Sequence, residues 1–471
     1  MKLENIISRL SEEQVKADNE LVTQIQIKLR GLGLYPGGKF VDGDFGPRTR
    51  NAIKSFCDAV GIPFPQYDRN FAQNLLTRKQ LPSVLGMVTS NRTQTFQNLL
   101  DIAKATRPSE GEVAFLHRGI QNSKYIAEIV EYAERLTTKH EPQALPSTDT
   151  SYPKRGFIPN IDSQGLNFLH SDIKEACICI GNFANGEIKT RWLGKNALEE
   201  RQFWSASKII PILNTVCDAN TKAPGVDIAN CYINESRNKF TDIALDIISY
   251  RGKITSSNAG AACLKLFQTP TALETWVKNI TGNQQLSFRG GYGENAFIRQ
   301  PKLFDRISGK QILTSPGAPL DGQNLLSAYD LTRLISMLGW HWHLPGDSRL
   351  PGAQWQSLKS IVQAMGNDRA RYIDVAIETL GLENVITSPV IISKLGNGFS
   401  ESRTSHEITY VAFVEFIDER NSSANQPGKF KTLAMTLRAA VQPPRTLVEV
   451  DARMAADVTE IIRRVIVNEI I

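Results

Sequence analysis

Val22, Ile25, Leu29 and Leu32 recur at three- and four-residue intervals, the spacing that lays apolar side chains along one face of an α-helix. Glycine and proline then break the chain from Gly31 to Gly38. The following run, Val41-Asp-Gly-Asp-Phe-Gly-Pro-Arg-Thr-Arg, reads as a loop entering a second helix. Gly46 suits its N-cap, and Pro47 suits the first helical position, where no N–H is needed and φ is preset. Ala52, Ile53 and Phe56 continue the apolar face, and a third short helix fits Asn70 to Leu76. Residues 21–78 therefore read as a self-contained three-helix unit. From 79 to 137 the period stays helical, in QTFQNLLDIAKA and EVAFLHRGIQNSKYIAEIVEYAERL, and predicts a helical spacer. Residues 138–160 turn to Pro, Ser and Thr and predict a linker. Beyond them, β-like runs (ACICIGNF and GEIKTRWLG around a turn at Ala184 to Gly186, later ITYVAFVEF and TLAMTLRAAV) mix with helical runs such as AADVTEIIRRVIVNEI. Residues 161–471 therefore predict one large α/β domain.

The composition narrows the classes. At 471 residues the chain is too long for one ordinary core. It is 41% hydrophobic and 22% charged, which suits globular protein and excludes a disordered chain. A net charge of +6 is spread without a dense basic run; a solvated surface, with no nucleic acid partner, is the expectation. No stretch is apolar for long enough to predict an integral membrane segment. The first twenty residues are polar and amphipathic, without the apolar core of a secretory signal. The six cysteines lack metal-ligand spacing and read as buried thiols, a disulfide being the alternative. Cys177 and Cys179 should face one side of a strand. His341-Trp-His343 has ligand-like spacing but no third ligand nearby, so neither metal nor cofactor is expected.

Three short elements carry candidate chemistry. Ser205-Ala-Ser-Lys208 opens an apolar helix and puts Ser205 and Lys208 on one face. A lysine in reach of a serine can take its proton if burial or neighbours lower the lysine pKa. A helix N-terminus also leaves the serine N–H free for an oxyanion. Ser207 is not three residues before a lysine and reads as structural. Ser256-Ser-Asn258 precedes small residues and suits a turn into a buried helix, or a plain helix cap. Lys394-Leu-Gly396-Asn397 lies just before a strand.

In this order the three resemble the S-x-x-K, S-D-N and K-T-G elements of class A β-lactamases and penicillin-binding proteins. The closing strand–strand–helix pattern resembles the end of that fold. The resemblance implies an antiparallel sheet flanked by helices and a covalent acyl-enzyme. It assigns Ser205 as nucleophile, Lys208 as acylation base, Ser256 with Asn258 as proton relay, and Lys394 as carboxylate or relay electrostatics. Gly396 would let the strand approach substrate, and Asn397 would supply a second oxyanion N–H. Leucine replaces the hydroxyl residue in the third element, and Arg403 or His406 is the candidate substitute. No Glu-x-x-Leu-Asn follows the second element; Glu294 stands at a fitting distance for a deacylation base, with an exposed loop acid as the alternative.

The N-terminal pattern L-x-x-L-G-x-Y-P-G-G…V-D-G-x-F-G-P-x-T resembles the peptidoglycan-binding three-helix domain. Gly43, Phe45 and Gly46 then read as loop-shaping residues. Together the resemblances imply peptidoglycan as partner, β-lactams or D-alanyl-D-alanine stem peptides as substrates, and a cell-wall or periplasmic setting, although no signal peptide is visible. An esterase or amidase on the same scaffold, or a catalytically impaired wall-binding protein, are the alternatives.

Overall fold

The first apolar stripe closes into a small core of its own. Helix Asn19–Gly31 starts at Asp18, whose carboxylate accepts from the Leu21 N–H at 3.0 Å, and it buries Val22, Ile25 and Leu29. Helix Pro47–Val60 has Gly46 as its N-cap and Pro47 as its first residue. Helix Arg69–Thr77 is capped by Asp68. Phe56, Phe71 and Tyr67 meet edge to face at 5.8 and 5.6 Å, the favoured geometry of aromatic rings. Residues before position 21 join this core: Leu3, Ile6 and Val15 are buried, and Leu10 bridges Tyr67. Periodicity missed the buried Gln26. Its amide donates to Tyr35, Asp42, the Asp44 carbonyl and Thr49, and its oxygen accepts from the Asp42 and Gly43 N–H groups. That one side chain satisfies the Asp-Gly-Asp loop from inside.

The computed structural model describes residues 1–32, 34–35, 41–78, 91–106, 123–140, 146, 148–184, 186–234, 238–382, 386–419 and 428–470. Four sequence expectations fall partly outside these residues: the Pro-Gly-Gly break, much of the helical spacer, part of the linker, and Asn185 in the first strand turn. Within the spacer, Arg92–Thr106 is helical and packs along the last helix of the chain. Tyr132–Arg135 forms one further helical turn. The stretch read as a linker docks on the large domain: Thr150–Ser151 pairs with Lys189 and Thr190, and Tyr152 is buried against Trp192 and Trp340.

The large domain is built on five long antiparallel strands. They are β1 (Ile173–Ala184), β2 (Glu187–Lys195), β3 (Ile386–Ser400), β4 (Ser405–Asp418) and β5 (Lys429–Val441), in spatial order β2-β1-β5-β4-β3. Their side chains alternate between two apolar layers, as the strand period requires. Cys177, Cys179, Trp192, Ile392, Val411 and Phe413 face helices Ile209–Lys222, Ala328–Gly339 and Trp355–Gly366. Ile178, Leu395, Tyr410, Met435 and Leu437 face helices Tyr372–Thr379 and Leu447–Ile466. The result is an antiparallel sheet flanked by helices on both sides, the architecture expected from the sequence. All six cysteines are buried and free, and burial raises the thiol pKa at each, to about 12 at Cys57, Cys231 and Cys263. Among the described residues no helix is long and apolar enough to cross a membrane.

Candidate active site

Ser205 and Lys208 lie on a 3-10 turn, Trp204–Lys208, that runs into helix Ile209–Lys222. Trp204 just before the serine has φ 47, a left-handed conformation that costs a side-chain-bearing residue free energy. Three contacts hold it there. Its indole N–H donates to Glu407 at 3.0 Å. Its ring lies against Gly398, where an added Cβ would come within 2.6 Å. The Thr409 hydroxyl donates to the Phe203 carbonyl at 2.8 Å. Gly396 on β3 lies against the same turn: an added Cβ would sit 2.7 Å from both the Ser205 and Ala206 nitrogens. Only a glycine lets the strand and the serine backbone come this close.

Burial and the facing ammonium of Lys394 push the Lys208 amine down to about 6, with Glu294 acting in the opposite sense. Its Nζ hydrogen-bonds Asn258 Oδ1 at 2.5 Å and Ser257 Oγ at 2.9 Å. Of the two hydroxyls in the second element, the one that reaches the lysine is thus that of Ser257. Ser256 caps helix Ser257–Lys265, accepting from the Ala259 N–H at 3.1 Å, and donates its own proton to Glu294. Asn258 Nδ2 donates to the other oxygen of Glu294 at 3.0 Å. Glu294 is an exposed loop acid whose loop brings it to the second element. The loop that carries it is anchored by a residue without motif signal. Buried Lys265 donates to the Gly290 carbonyl at 2.7 Å and to Asn324 at 2.9 Å, and Asn324 in turn donates to the Gly291 carbonyl at 2.8 Å.

Ser205, Ser256, Ser257, Asn258, Glu294 and Asn397 line one cleft of about 730 Å³. Lys394 is fully buried behind it: Nζ donates to the Tyr250 hydroxyl at 2.6 Å and to the Leu395 carbonyl at 2.8 Å, while Ser393 ties the nearby Asp368 to the same strand. Leu395 points to the opposite layer, into the apolar core. Ser207 donates to the Trp204 carbonyl at 2.7 Å, a structural bond within the turn.

Arg403 and His406 are not brought to the cleft. Arg403 forms a two-pronged pair with the buried Glu407 at 2.8 and 3.0 Å and faces a separate cleft of about 720 Å³. An uncompensated carboxylate in the sheet would be costly, and it takes up the guanidinium. Burial works to raise the Glu407 pKa, but Arg403, Arg438, the Trp204 indole and Ser405 outweigh it and hold the carboxyl below its ordinary value. His406 packs its ring on Phe399 at 5.0 Å. His343 meets the Leu136 carbonyl at 3.0 Å and His341 stacks near Trp355, so the pair belongs to the packing of its segment.

Comparison with known proteins bears on the two halves differently. Residues 18–63 match the peptidoglycan binding domain family. The matched stretch spans helices Asn19–Gly31 and Pro47–Val60 and the Gln26-held loop between them. Among curated proteins none matches the chain. Solved structures similar to it include a β-lactamase from Desulfarculus baarsii, 17% identical, over 62% of this chain and 92% of that one, at TM-score 0.34. A class A β-lactamase from Bacteroides cellulosilyticus is 11% identical over 63% and 95%, at TM-score 0.35. A peptidoglycan synthetase from Bifidobacterium adolescentis is 10% identical over 64% and 58%, at TM-score 0.28. TM-scores this low leave the cleft to be judged on its own geometry.

Proposed function

We propose that the chain is a serine acyl hydrolase held at peptidoglycan by its N-terminal unit, with Ser205 as the nucleophile. The observation that carries this reading is that Ser205, Ser256, Ser257, Asn258 and Asn397 line one cleft, with Lys394 buried behind it and Lys208, whose amine is pushed down to about 6, bonded to Ser257 and Asn258. At neutral pH such a lysine is largely unprotonated and can accept the serine proton. Oγ then bonds the substrate carbonyl carbon, and the backbone N–H groups of Ser205 and Asn397 are the candidate oxyanion donors. Collapse expels the leaving group and leaves an ester on Ser205. Glu294, with Ser256 and Asn258 beside it, is the candidate base for the water that cleaves this ester. β-Lactams and D-alanyl-D-alanine stem peptides supply the required carbonyl.

One observation favours a second substrate class. β-Lactams and stem peptides also carry a carboxylate, and both cations expected to receive it are engaged: Lys394 with Tyr250 and the Leu395 carbonyl, Arg403 with Glu407. Neutral esters or amides need no such partner. Incubating the protein with a fluorescent penicillin and, separately, with a fluorophosphonate tests both readings by intact mass and peptide mapping. An adduct on Ser205 with either reagent is the expected result, and preference for the fluorophosphonate marks a neutral-substrate enzyme. No adduct with either, or one mapped elsewhere, would overturn the assignment.

Turnover isolates Glu294. Glu294→Gln is expected to leave acylation near wild type and to slow ester hydrolysis by about 10²- to 10⁴-fold, the usual cost of removing a positioned base. The adduct should then accumulate in the mass spectrum while product release stalls. An adduct lifetime equal to that of wild type would return Glu294 to the role of a loop acid.

A further inference from the structure

Tyr250 belongs to none of the three elements, yet it sits among all of them. It ends helix Phe240–Ser249 in a left-handed conformation, φ 54, and its ring turns toward β3. The hydroxyl donates to the Leu395 carbonyl at 2.7 Å and lies 2.6 Å from Lys394 Nζ, which is 3.8 Å from the ring centre. Tyr250 and Ser205 line the same cleft, and the serine side chain acts on the phenol in the sense that lowers its pKa. A carbonyl carbon bonded to Ser205 Oγ carries its leaving atom one bond farther on. A hydroxyl beside Oγ in the same cleft is placed to meet that atom. In the resting site Ser256 donates to Glu294 and Tyr250 to the Leu395 carbonyl, so the phenol proton has to turn from that carbonyl to the leaving atom.

Resting on Ser205 as the nucleophile, we propose that Tyr250 is the general acid of acylation, giving its hydroxyl proton to the leaving oxygen or nitrogen and being reprotonated by Lys394. As the tetrahedral adduct collapses, the bond from carbon to the leaving atom breaks and its electron pair stays with that atom. The Tyr250 proton moves to the leaving atom, and a proton from the Lys394 ammonium moves to the phenol oxygen. Lys208 meanwhile holds the proton taken from Ser205, so the charge of the site is unchanged. In the later step Glu294 takes one proton from the water that cleaves the ester and releases it to solvent, Lys394 regains a proton from solvent, and Lys208 returns its own to Ser205.

Burial, with Asp368 adding to it, keeps the Tyr250 phenol well above its ordinary range, so the hydroxyl retains a proton to give. Burial pushes the Lys394 amine down to about 7, with Asp368 opposing the shift. The groups facing Lys394 are Tyr250, Asp368 and, across the site, Lys208, whose own protonation its ammonium disfavours.

The test compares two esters of one acyl group, a p-nitrophenyl ester whose leaving group needs no proton and a methyl ester whose leaving group does. With Tyr250→Phe in the full chain, acylation by the methyl ester should fall about 10²- to 10⁴-fold, while the p-nitrophenyl ester stays within about threefold of wild type. Equal losses on both esters would make Tyr250 structural, and no loss on either would remove it from the reaction. A wild-type measurement covers the case of a variant that does not fold. The methyl-ester rate should be bell-shaped in pH, with apparent pKa values of about 6 and about 7 from Lys208 and Lys394. The p-nitrophenyl ester should show only the lower limb, and identical profiles would overturn the proposal. If wild type forms no Ser205 adduct with either ester, the nucleophile assignment falls and Tyr250 falls with it.

Discussion

Lys208→Ala is expected to slow acylation of Ser205 by about 10²- to 10⁴-fold, and Ser205→Ala to remove the adduct altogether. The wild-type pH dependence should carry the same signature. Lys208 accepts a proton only when neutral, and its amine is pushed down to about 6. Acylation should therefore be insensitive to pH just above that value and fall by about tenfold per unit below it, as protonation removes the base. The sign follows from the cause: burial penalises the ammonium, so acid restores the charged, inactive form. A rate that holds steady down to pH about 4, or a Lys208→Ala variant that acylates normally, would remove the lysine from the mechanism. Stopped-flow acylation by a chromogenic ester measures both.

Gly396→Ala should be nearly as damaging without touching any titrating group. The new methyl would stand 2.7 Å from the nitrogens of Ser205 and Ala206 and 2.5 Å from the Thr409 hydroxyl. Backbone cannot yield cheaply there, because the turn is already pinned by Trp204 and Thr409. Either β3 or the serine turn must shift, and with it the N–H group aimed at the oxyanion. Loss of one such donor typically costs about 10²- to 10³-fold in rate. Binding of a non-reacting product should change far less than the acylation rate. A variant with both close to wild type would show that the strand has slack at this point.

Much of this could be read from the chain, for reasons that differ by element. The apolar stripes of the N-terminal helices and the long β runs bury one face each, so their period is set by the core and survives in the sequence. Ser205, Lys208, Asn258 and Glu294, which the fold brings together, could be singled out because the chemistry expected of them is tied to local spacing or to a fitting separation. The choice between Ser256 and Ser257 was not legible. Adjacent hydroxyls at a helix start differ only in direction, and direction depends on how the helix docks: Ser257 is turned inward to Lys208 and Ser256 outward to Glu294. Tyr250, Lys265 and Asp368 carry no pattern at all, since each reaches its partners through tertiary contact between distant segments. Arg403 shows the converse error. A cation beside the third element looked available for substrate, but the buried Glu407 that occupies it is four residues away and belongs to a different network.

The buried thiols have a practical meaning for anyone watching this cleft at work. With every native cysteine enclosed and held protonated, a surface cysteine introduced at exposed Asn295, beside Glu294, would be the sole accessible thiol on the molecule. Asn295→Cys could take a maleimide dye with the six native cysteines left in place. An environment-sensitive dye at that rim would report the Glu294 loop optically as candidate substrates are added to the intact chain.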